Sequence, residues 1–357
     1  MKKVFEDVKF GYQLPPHTPD LIFDVALYLE ERGFDSVFMA DHLVGIAVRR
    51  FDFLDTWNIL SALAVKTKRL KLGSCVTDPH RKHPAVLAQT VVTLDHLSNG
   101  RAILGIGAGE AMNLDPYGIK WDRPVSRMYE AVKAVKACWT QPVVNFEGEF
   151  YHIKNALVEP KPVQKPHPPI WIAGNSPRTM KMTAEIADGW IPMAPPLTPG
   201  TYKENFGKIL EWAKEYGREP ESIEPALFTY VVVAKDHDTA REIIELPAMM
   251  TIATLSKAVQ HLKLKGSIPE EFQLHRFISN QENVAQLLGH TMDVVPPEAI
   301  NDFFVYGSPD DCIEGIERYL KAGVKHFIVA MFVRLKNMKE TLQLYAEKVV
   351  PYFKEEK

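Results

Sequence analysis

Leu70-Lys71-Leu72-Gly73-Ser74-Cys75-Val76-Thr77-Asp78-Pro79 and, one helix later, Ala102-Ile103-Leu104-Gly105-Ile106-Gly107-Ala108-Gly109-Glu110-Ala111-Met112-Asn113 decide how this chain is read. Each is a short apolar strand ending in a turn loaded with polar side chains. Between them Pro84 opens a helix and Asn99-Gly100 closes it. Proline is tolerated in a first helical turn, and Gly or Asn readily takes the left-handed conformation that ends one. A strand, a helix and a second strand make a parallel unit, so both loaded turns leave from the carboxyl edge of one sheet.

Working outward, the same rhythm repeats. Apolar or β-branched runs predict strands near Val8–Tyr12, Ser36–Ala40, Leu70–Ser74, Ala102–Gly107, Ile170–Ala173, Trp190–Pro192, Ala226–Ala234 and His326–Met331. Helical periodicity separates most of them. Ser308-Pro309-Asp310-Asp311 reads as a capping box with proline in the first turn, followed by Ile313, Ile316 and Leu320 on one face. Eight strand–helix repeats leave an open doubly wound sheet or a closed barrel, and eight favours the (β/α)8 TIM barrel. Two stretches break the rhythm. Phe146-Glu147-Gly148-Glu149-Phe150-Tyr151 predicts a hairpin insertion near 143–153, and residues 245–299 read as a mainly helical insertion punctuated by Pro269, Pro296 and Pro297. Residues 1–357 are therefore expected to form a single TIM-barrel domain with insertions covering its carboxyl face.

Composition narrows the partners. With 46% hydrophobic and 24% charged residues the chain can bury a large core, and a net charge of −3 with mixed signs argues against nucleic acid. No polybasic patch or apolar run suits a membrane, and the acidic turn at Glu6-Asp7 comes too early for a signal peptide, so a cytoplasmic location is expected. Three scattered cysteines, Cys75, Cys138 and Cys312, make neither a metal knuckle nor a disulfide framework, and no metal is expected. The expected partner is a small-molecule substrate.

The distinctive residues cluster at strand ends. Asp41-His42 follows the second strand, Cys75–Asp78 the third, Gly107–Asn113 the fourth and Gly174-Asn175-Ser176 the fifth, all on the face where barrel enzymes assemble their sites. Gly105–Glu110 lacks the G-x-G-x-x-G spacing of a dinucleotide fingerprint and does not open a helix before Pro116. Its glycines could merely turn the chain; a backbone bared to a ligand, with Glu110 and Asn113 beside it, is the reading preferred here. His42 could be a satisfied structural histidine, but its place past a strand end suits proton transfer near neutral pH. His80-Arg81-Lys82-His83 is equally a solvated helix entry or a functional basic cluster, and Cys75 shows no activating base. Gly174-Asn175-Ser176-Pro177 precedes a helix start, which is either an ordinary cap or an anion cradle.

These strings, with Pro84–Gln89, Leu97–Arg101, Pro116–Trp121, Arg123–Arg127, Ala187–Trp190 and Ser308–Asp310, resemble the bacterial luciferase-like superfamily, and within it the branch that uses coenzyme F420. The resemblance weakens only across residues 245–299. It implies a (β/α)8 barrel binding the deazaflavin at its carboxyl face, with a non-prolyl cis peptide at Cys75-Val76 forming a bulge behind the ring. It further implies that Asp41, Thr77, Ala108, Gly109 and Asn113 line the coenzyme. Gly174, Asn175, Ser176, Arg178 and Thr179 would hold its phosphate tail, and His42 and Glu110 would handle protons. A homodimer or higher homo-oligomer is implied as well.

The activity so implied is hydride transfer between the deazaflavin and a carbonyl or secondary alcohol carbon. Methylene-tetrahydromethanopterin reduction, an FMN-dependent monooxygenase and a noncatalytic deazaflavin-binding protein stand as alternatives. Departures from the family's patterns narrow the substrate. Pro196 and Asp302 stand where sugar-phosphate dehydrogenases of this group carry cations; Ile46 replaces a tryptophan of the secondary alcohol dehydrogenases; Gln13 replaces a glutamate, and Glu110 an aspartate, of the methylene-tetrahydromethanopterin reductases. The Asp41-His42-Leu43, Cys75–Asp78 and Tyr117–Val125 strings are most similar to ketoreductases acting on lipid-like diketones.

Overall fold

The computed structural model describes residues 7–45, 53–264, 268–278, 280–331, 333 and 335–354. Ile46 and the amino-terminal residues 1–6 lie outside them. Among the described residues the strands are β1 Lys9–Gln13, β2 Ser36–Met39, β3 Lys71–Ser74, β4 Ala102–Ile106, β5 Val144–Glu147, β6 His152–Ala156, β7 Ile170–Ile172, β8 Gly189–Trp190, β9 Glu224–Val233, β10 Val305–Gly307 and β11 His326–Ala330. Eight of them run parallel in the order β1-β2-β3-β4-β7-β8-β9-β11, and β11 returns to β1, which closes a (β/α)8 TIM barrel. The eight strands expected from the sequence are these eight.

Two layers of side chains follow from the period-2 alternation of each strand. Val37 and Leu72 point outward into the large helix-facing core, while Phe38, Trp171, Phe228 and Ile328 fill the barrel interior. Small residues make room for these rings. A Cβ on Gly73 would sit 2.6 Å from Phe38, and one on Gly189 would sit 2.5 Å from Trp171. The fill is a packed core, not a pore.

β5 and β6 pair antiparallel as a hairpin whose turn is capped by Glu130, which accepts from the backbone N–H groups of Glu149, Phe150 and Tyr151 at 2.6–2.8 Å. The segment from 237 to 302 is mainly helical and carries its own apolar cluster around Ile244, Phe277, Leu287 and Phe303. One strand was not anticipated. β10 pairs with Val231–Val233, the part of β9 that overhangs the barrel, and so ties the helical segment to the barrel wall. The helix Pro309–Lys321 that follows starts with the expected capping box between Ser308 and Asp311.

The amino end of the barrel is closed by polar groups. Ser36 Oγ and His326 Nε2 lie 2.7 Å apart, His326 Nδ1 lies 3.5 Å from Glu224 Oε1, and Lys9 Nζ donates to both Glu224 oxygens at 2.9 and 3.1 Å. Gly11 leaves the space for it, since a Cβ there would lie 2.3 Å from Ser36 Oγ. Ser36 and His326 are buried, so this serine–histidine–glutamate series has no access for a substrate and works as a strand clamp.

Candidate active site

At the carboxyl end, β3 and β4 meet in a crossing that explains the glycines. The chain after β3 leans onto β4, so a Cβ on Gly105 would lie 1.9 Å from the Ser74 carbonyl oxygen and one on Gly107 2.6 Å from Val76. Thr77 N donates to Gly105 O at 2.9 Å and Gly107 N to Thr77 O at 2.8 Å, locking the two turns together. The peptide between Cys75 and Val76 is cis, as the resemblance implies. Gly105 therefore answers to the Ser74 backbone and Gly107 to the Val76 side chain; of the three glycines only Gly109, at φ 83°, has the left-handed backbone that glycine accepts at no steric cost. Cys75 and Val76 then pack on the interior fill with Ala173, Met193, Tyr230 and Ala330, forming an apolar floor under the mouth. Burial pushes the Cys75 thiol up to about 12, which removes it as a nucleophile at neutral pH.

Above this floor the structure brings His42, Glu110 and Asn113 together. His42 Nε2 lies 3.8 Å from Glu110 Oε2, and the His42 ring stacks on Phe53 with centroids 5.4 Å apart. Among the described residues Glu110 Oε2 is fully covered and has no hydrogen-bond partner, although the side chain as a whole is about a quarter exposed. Burial raises the Glu110 pKa, and Asp78 adds to the rise, against the smaller pull of His42 and Arg81. A carboxyl group so placed holds a proton more readily than a free one and has an oxygen left to offer.

Asp41 and Thr77 are engaged internally. Asp41 Oδ2 accepts from Thr77 Oγ1 at 2.5 Å and from Trp57 Nε1 at 3.3 Å, and lies 3.2 Å from Arg81 Nη2. Arg81 Nε also reaches Asp78 Oδ2 at 2.5 Å. This buried Asp–Arg–Asp series fixes the turns after β2 and β3 relative to each other. Arg81 thus belongs to the site's scaffold, and of the two readings of the His80–His83 cluster the solvated one does not hold for it. Ala108 O accepts from Trp121 Nε1 at 3.0 Å and lies 3.2 Å from His80 Nε2, leaving the Gly107–Glu110 backbone braced on its outer side.

The turn after β7 is built around the helix Pro177–Ile186. Ser176 and Thr179 form a reciprocal capping box, so both hydroxyls already serve the helix start. Gly174, at φ 123°, lets Thr179 approach to 2.9 Å of where a Cβ would be. Arg178 is exposed and donates to Ser126 Oγ at 2.6 Å. Asn175 receives Lys257 Nζ, from the helical segment, at 2.8 Å on its carbonyl oxygen. The same segment reaches the other turn: Ala111 N donates to His275 O at 2.8 Å, and the His275 ring packs tilted against Trp121 with centroids 5.4 Å apart. Lys257, His275 and Tyr230 were not singled out from the sequence. Tyr230 alone left a signal there, since it shares the interior face of β9 with Phe228 two residues before; its hydroxyl is raised by burial and by Glu110. A cavity of about 350 Å³ lies elsewhere, beside the hairpin, lined by Ser126, Glu130, Phe150 and Arg178 and by no residue of the His42–Glu110 cluster.

The model of the luciferase-like monooxygenase family matches residues 8–326. The chain belongs to this family. Among its relatives is a phthiodiolone/phenolphthiodiolone dimycocerosates ketoreductase of Mycobacterium kansasii, 30% identical over 83% of this chain and 87% of that protein. Another is a 5,10-methylenetetrahydromethanopterin reductase of Archaeoglobus fulgidus, 28% identical over 97% of this chain and 100% of that one. Solved structures share the fold: an F420-dependent secondary alcohol dehydrogenase in complex with an F420-acetone adduct superposes with a TM-score of 0.82 at 24% identity, covering 98% of this chain and 100% of that one. The coenzyme F420-dependent tetrahydromethanopterin reductase from Methanopyrus kandleri gives 0.78 at 24% identity, over 98% of this chain and 100% of its own.

Proposed function

We propose that this chain is a coenzyme F420-dependent oxidoreductase that moves a hydride between the deazaflavin and a carbonyl or secondary alcohol carbon. The observation that carries the reading is Glu110 Oε2, a buried oxygen without a hydrogen-bond partner among the described residues, whose carboxyl is biased toward the protonated form, set 3.8 Å from His42 at the barrel mouth. The residues suit a flat ring: the Cys75-Val76 floor is apolar, and the Gly107–Gly109 backbone carries little side chain above it. Arg178 and Lys257 bring positive charge to the Gly174–Thr179 turn, where the resemblance puts the phosphate tail. When bound, reduced F420 supplies the hydride. The chain's part is to hold the reacting carbon in register, exclude water and pass one proton through the His42–Glu110 pair to the oxygen that becomes basic. Asp41 and Thr77 act by fixing this geometry.

The ketoreductase relative supports a ketone as substrate. The end-to-end match to the Archaeoglobus fulgidus reductase supports a second reading, reduction of methylene-tetrahydromethanopterin. FMN as cofactor is the alternative within the luciferase-like family. Anaerobic loss of F420H2, followed with ketones and with methylene-tetrahydromethanopterin, separates these. Oxidation of a ketone-matched alcohol or of F420H2 is expected; activity that requires FMN and oxygen, with none on F420, overturns the proposal. We also propose a small-molecule site enclosed by the helical segment and a homo-oligomeric assembly, which sedimentation of the purified chain tests; a monomer at micromolar concentration overturns the latter.

A further inference from the structure

His42 Nδ1 has two neighbours of opposite polarity. The Val44 carbonyl oxygen, 3.1 Å away, can only accept, and the Asn113 side-chain nitrogen, 3.2 Å away, can only donate. The amide cannot be reversed. Its oxygen accepts from the backbone N–H groups of Leu43 at 2.7 Å and Val44 at 3.3 Å, and an NH2 in that place would face two donors. Nδ1 must therefore choose between a lone pair that serves Asn113 and a proton that serves Val44. In a neutral ring that choice also fixes Nε2, the nitrogen that faces Glu110.

We propose that Asn113 is a positioning residue that holds neutral His42 in its Nε2–H tautomer, so that the ring presents a donor to Glu110. The use made of that donor rests on the function proposed above; its existence does not. Burial decides the choice at Nδ1. Asn113 is 4% exposed, and among the described residues His42 is the partner recorded for its nitrogen, so turning Nδ1 into a donor would orphan a buried N–H. Val44 as a residue is only half-buried, so losing the ring as a donor costs its carbonyl less than it costs the Asn113 amide.

The tautomer assigns the two roles the sequence left open. Glu110 gives the proton: its O–H bond breaks as an O–H bond forms on the substrate oxygen whose carbon has received the hydride. The new carboxylate then meets Nε2–H, and the ring neither rotates nor changes its proton count. The Nδ1–H tautomer would instead aim a lone pair at that carboxylate.

The test uses the full chain without coenzyme, labelled with 15N-histidine, its His42 ring signals identified by their loss in His42→Gln. The native ring should show a protonated Nε2 and a lone pair on Nδ1. Asn113→Asp keeps an oxygen for Leu43 and Val44 but replaces the donor with an acceptor, and the proton should move to Nδ1. A ring that stays Nε2–H overturns the inference. If the aspartate variant does not fold, Asn113→Ala removes the donor and should shift the ring toward Nδ1–H, and no shift there is equally fatal. Neither coenzyme nor substrate enters this readout, so a native chain inert toward F420 would sink the proposed function while leaving the tautomer result to stand or fall by itself. A kcat at least tenfold lower for Asn113→Asp, with folding intact, is the accompanying expectation.

Discussion

At the amino end of the barrel His326 and Glu224 lie 3.5 Å apart; at the carboxyl end His42 and Glu110 lie 3.8 Å apart. The same two residue types are used to opposite ends. Burial pushes Glu224 up, but the nearby His326 ring and the hydrogen bonds from Lys9 prevail and hold it at about 2. Among the described residues Glu110 has no lysine or arginine within ion-pair distance, so burial prevails and its carboxyl is raised. The first pair is spent on barrel closure, with His326 also reaching Ser36, 290 residues earlier in the sequence. The second keeps one oxygen unspent. In a TIM barrel the carboxyl face carries the chemistry and the amino face serves stability.

Exchanging the carboxyls for amides should separate the two ends. Glu110→Gln should lower kcat by about 10²–10⁴-fold, the usual worth of a positioned proton-transfer group, and His42→Ala, which removes the donor that faces its carboxylate, should lower it too, with coenzyme affinity changed far less in both. Steady-state kinetics beside fluorescence titration of F420 checks this. A Glu110→Gln enzyme with native kcat would mean that the pair is structural at both ends. Glu224→Gln should do the reverse, leaving kcat near native while unfolding about 2–3 kcal/mol more easily, because Lys9 and His326 lose the charge they face. Urea unfolding measures that difference.

Acid should also set the ends against each other. His326 is held below its ordinary value by burial, against the pull of Glu224. The unfolded histidine takes up its proton near 6.5 while the folded one does not, so stability falls as pH drops below about 6.5. Glu224, ionised in the fold down to about 2, continues the loss below 4.5, its unfolded value. Glu110 runs the other way. Its folded pKa is raised, so its contribution is fully present below 4.5 and is lost as pH rises through the folded value. Urea midpoints from pH 7 to pH 3.5 should therefore drop more steeply in Glu110→Gln than in the native chain, and less steeply in Glu224→Gln. Parallel curves for all three would break the contrast.

The two ends were not equally legible. His42, Glu110 and Asn113 could be picked from the sequence because strand ends can be counted, and counting puts them on one face. The clamp of Ser36, Glu224 and His326 could not, since each looks ordinary within its own strand and only barrel closure makes them neighbours. Arg81 was ambiguous for a related reason: four basic residues in a row look solvated until Asp41, forty residues earlier, folds over one of them. Gly105 and Gly107 carried a signal that the fold also explains, since a Cβ there would meet the Ser74 carbonyl and the Val76 side chain. β10 was missed because three residues hold no periodicity and its partner is an overhang that only the register reveals. His275 and Lys257 sit in the stretch where the family resemblance is weakest.

The smallest effect probes why the amino end is satisfied at all. Lys9 is about half exposed, and exposed ion pairs contribute little, so Lys9→Met should cost about 1 kcal/mol or less. Its informative consequence is elsewhere. Without Lys9, Glu224 keeps only His326, whose ring is buried and resists protonation, and the amino end then approaches the condition of the carboxyl end: one histidine, one glutamate and no cation. The Glu224 carboxyl should rise, and the acid loss of stability should begin at higher pH, while kcat stays native. If Lys9→Met leaves the acid limb where it was, the lysine is ornamental, and the difference between the two pairs must come from the Ser36 hydroxyl and the tight strand register around His326 instead.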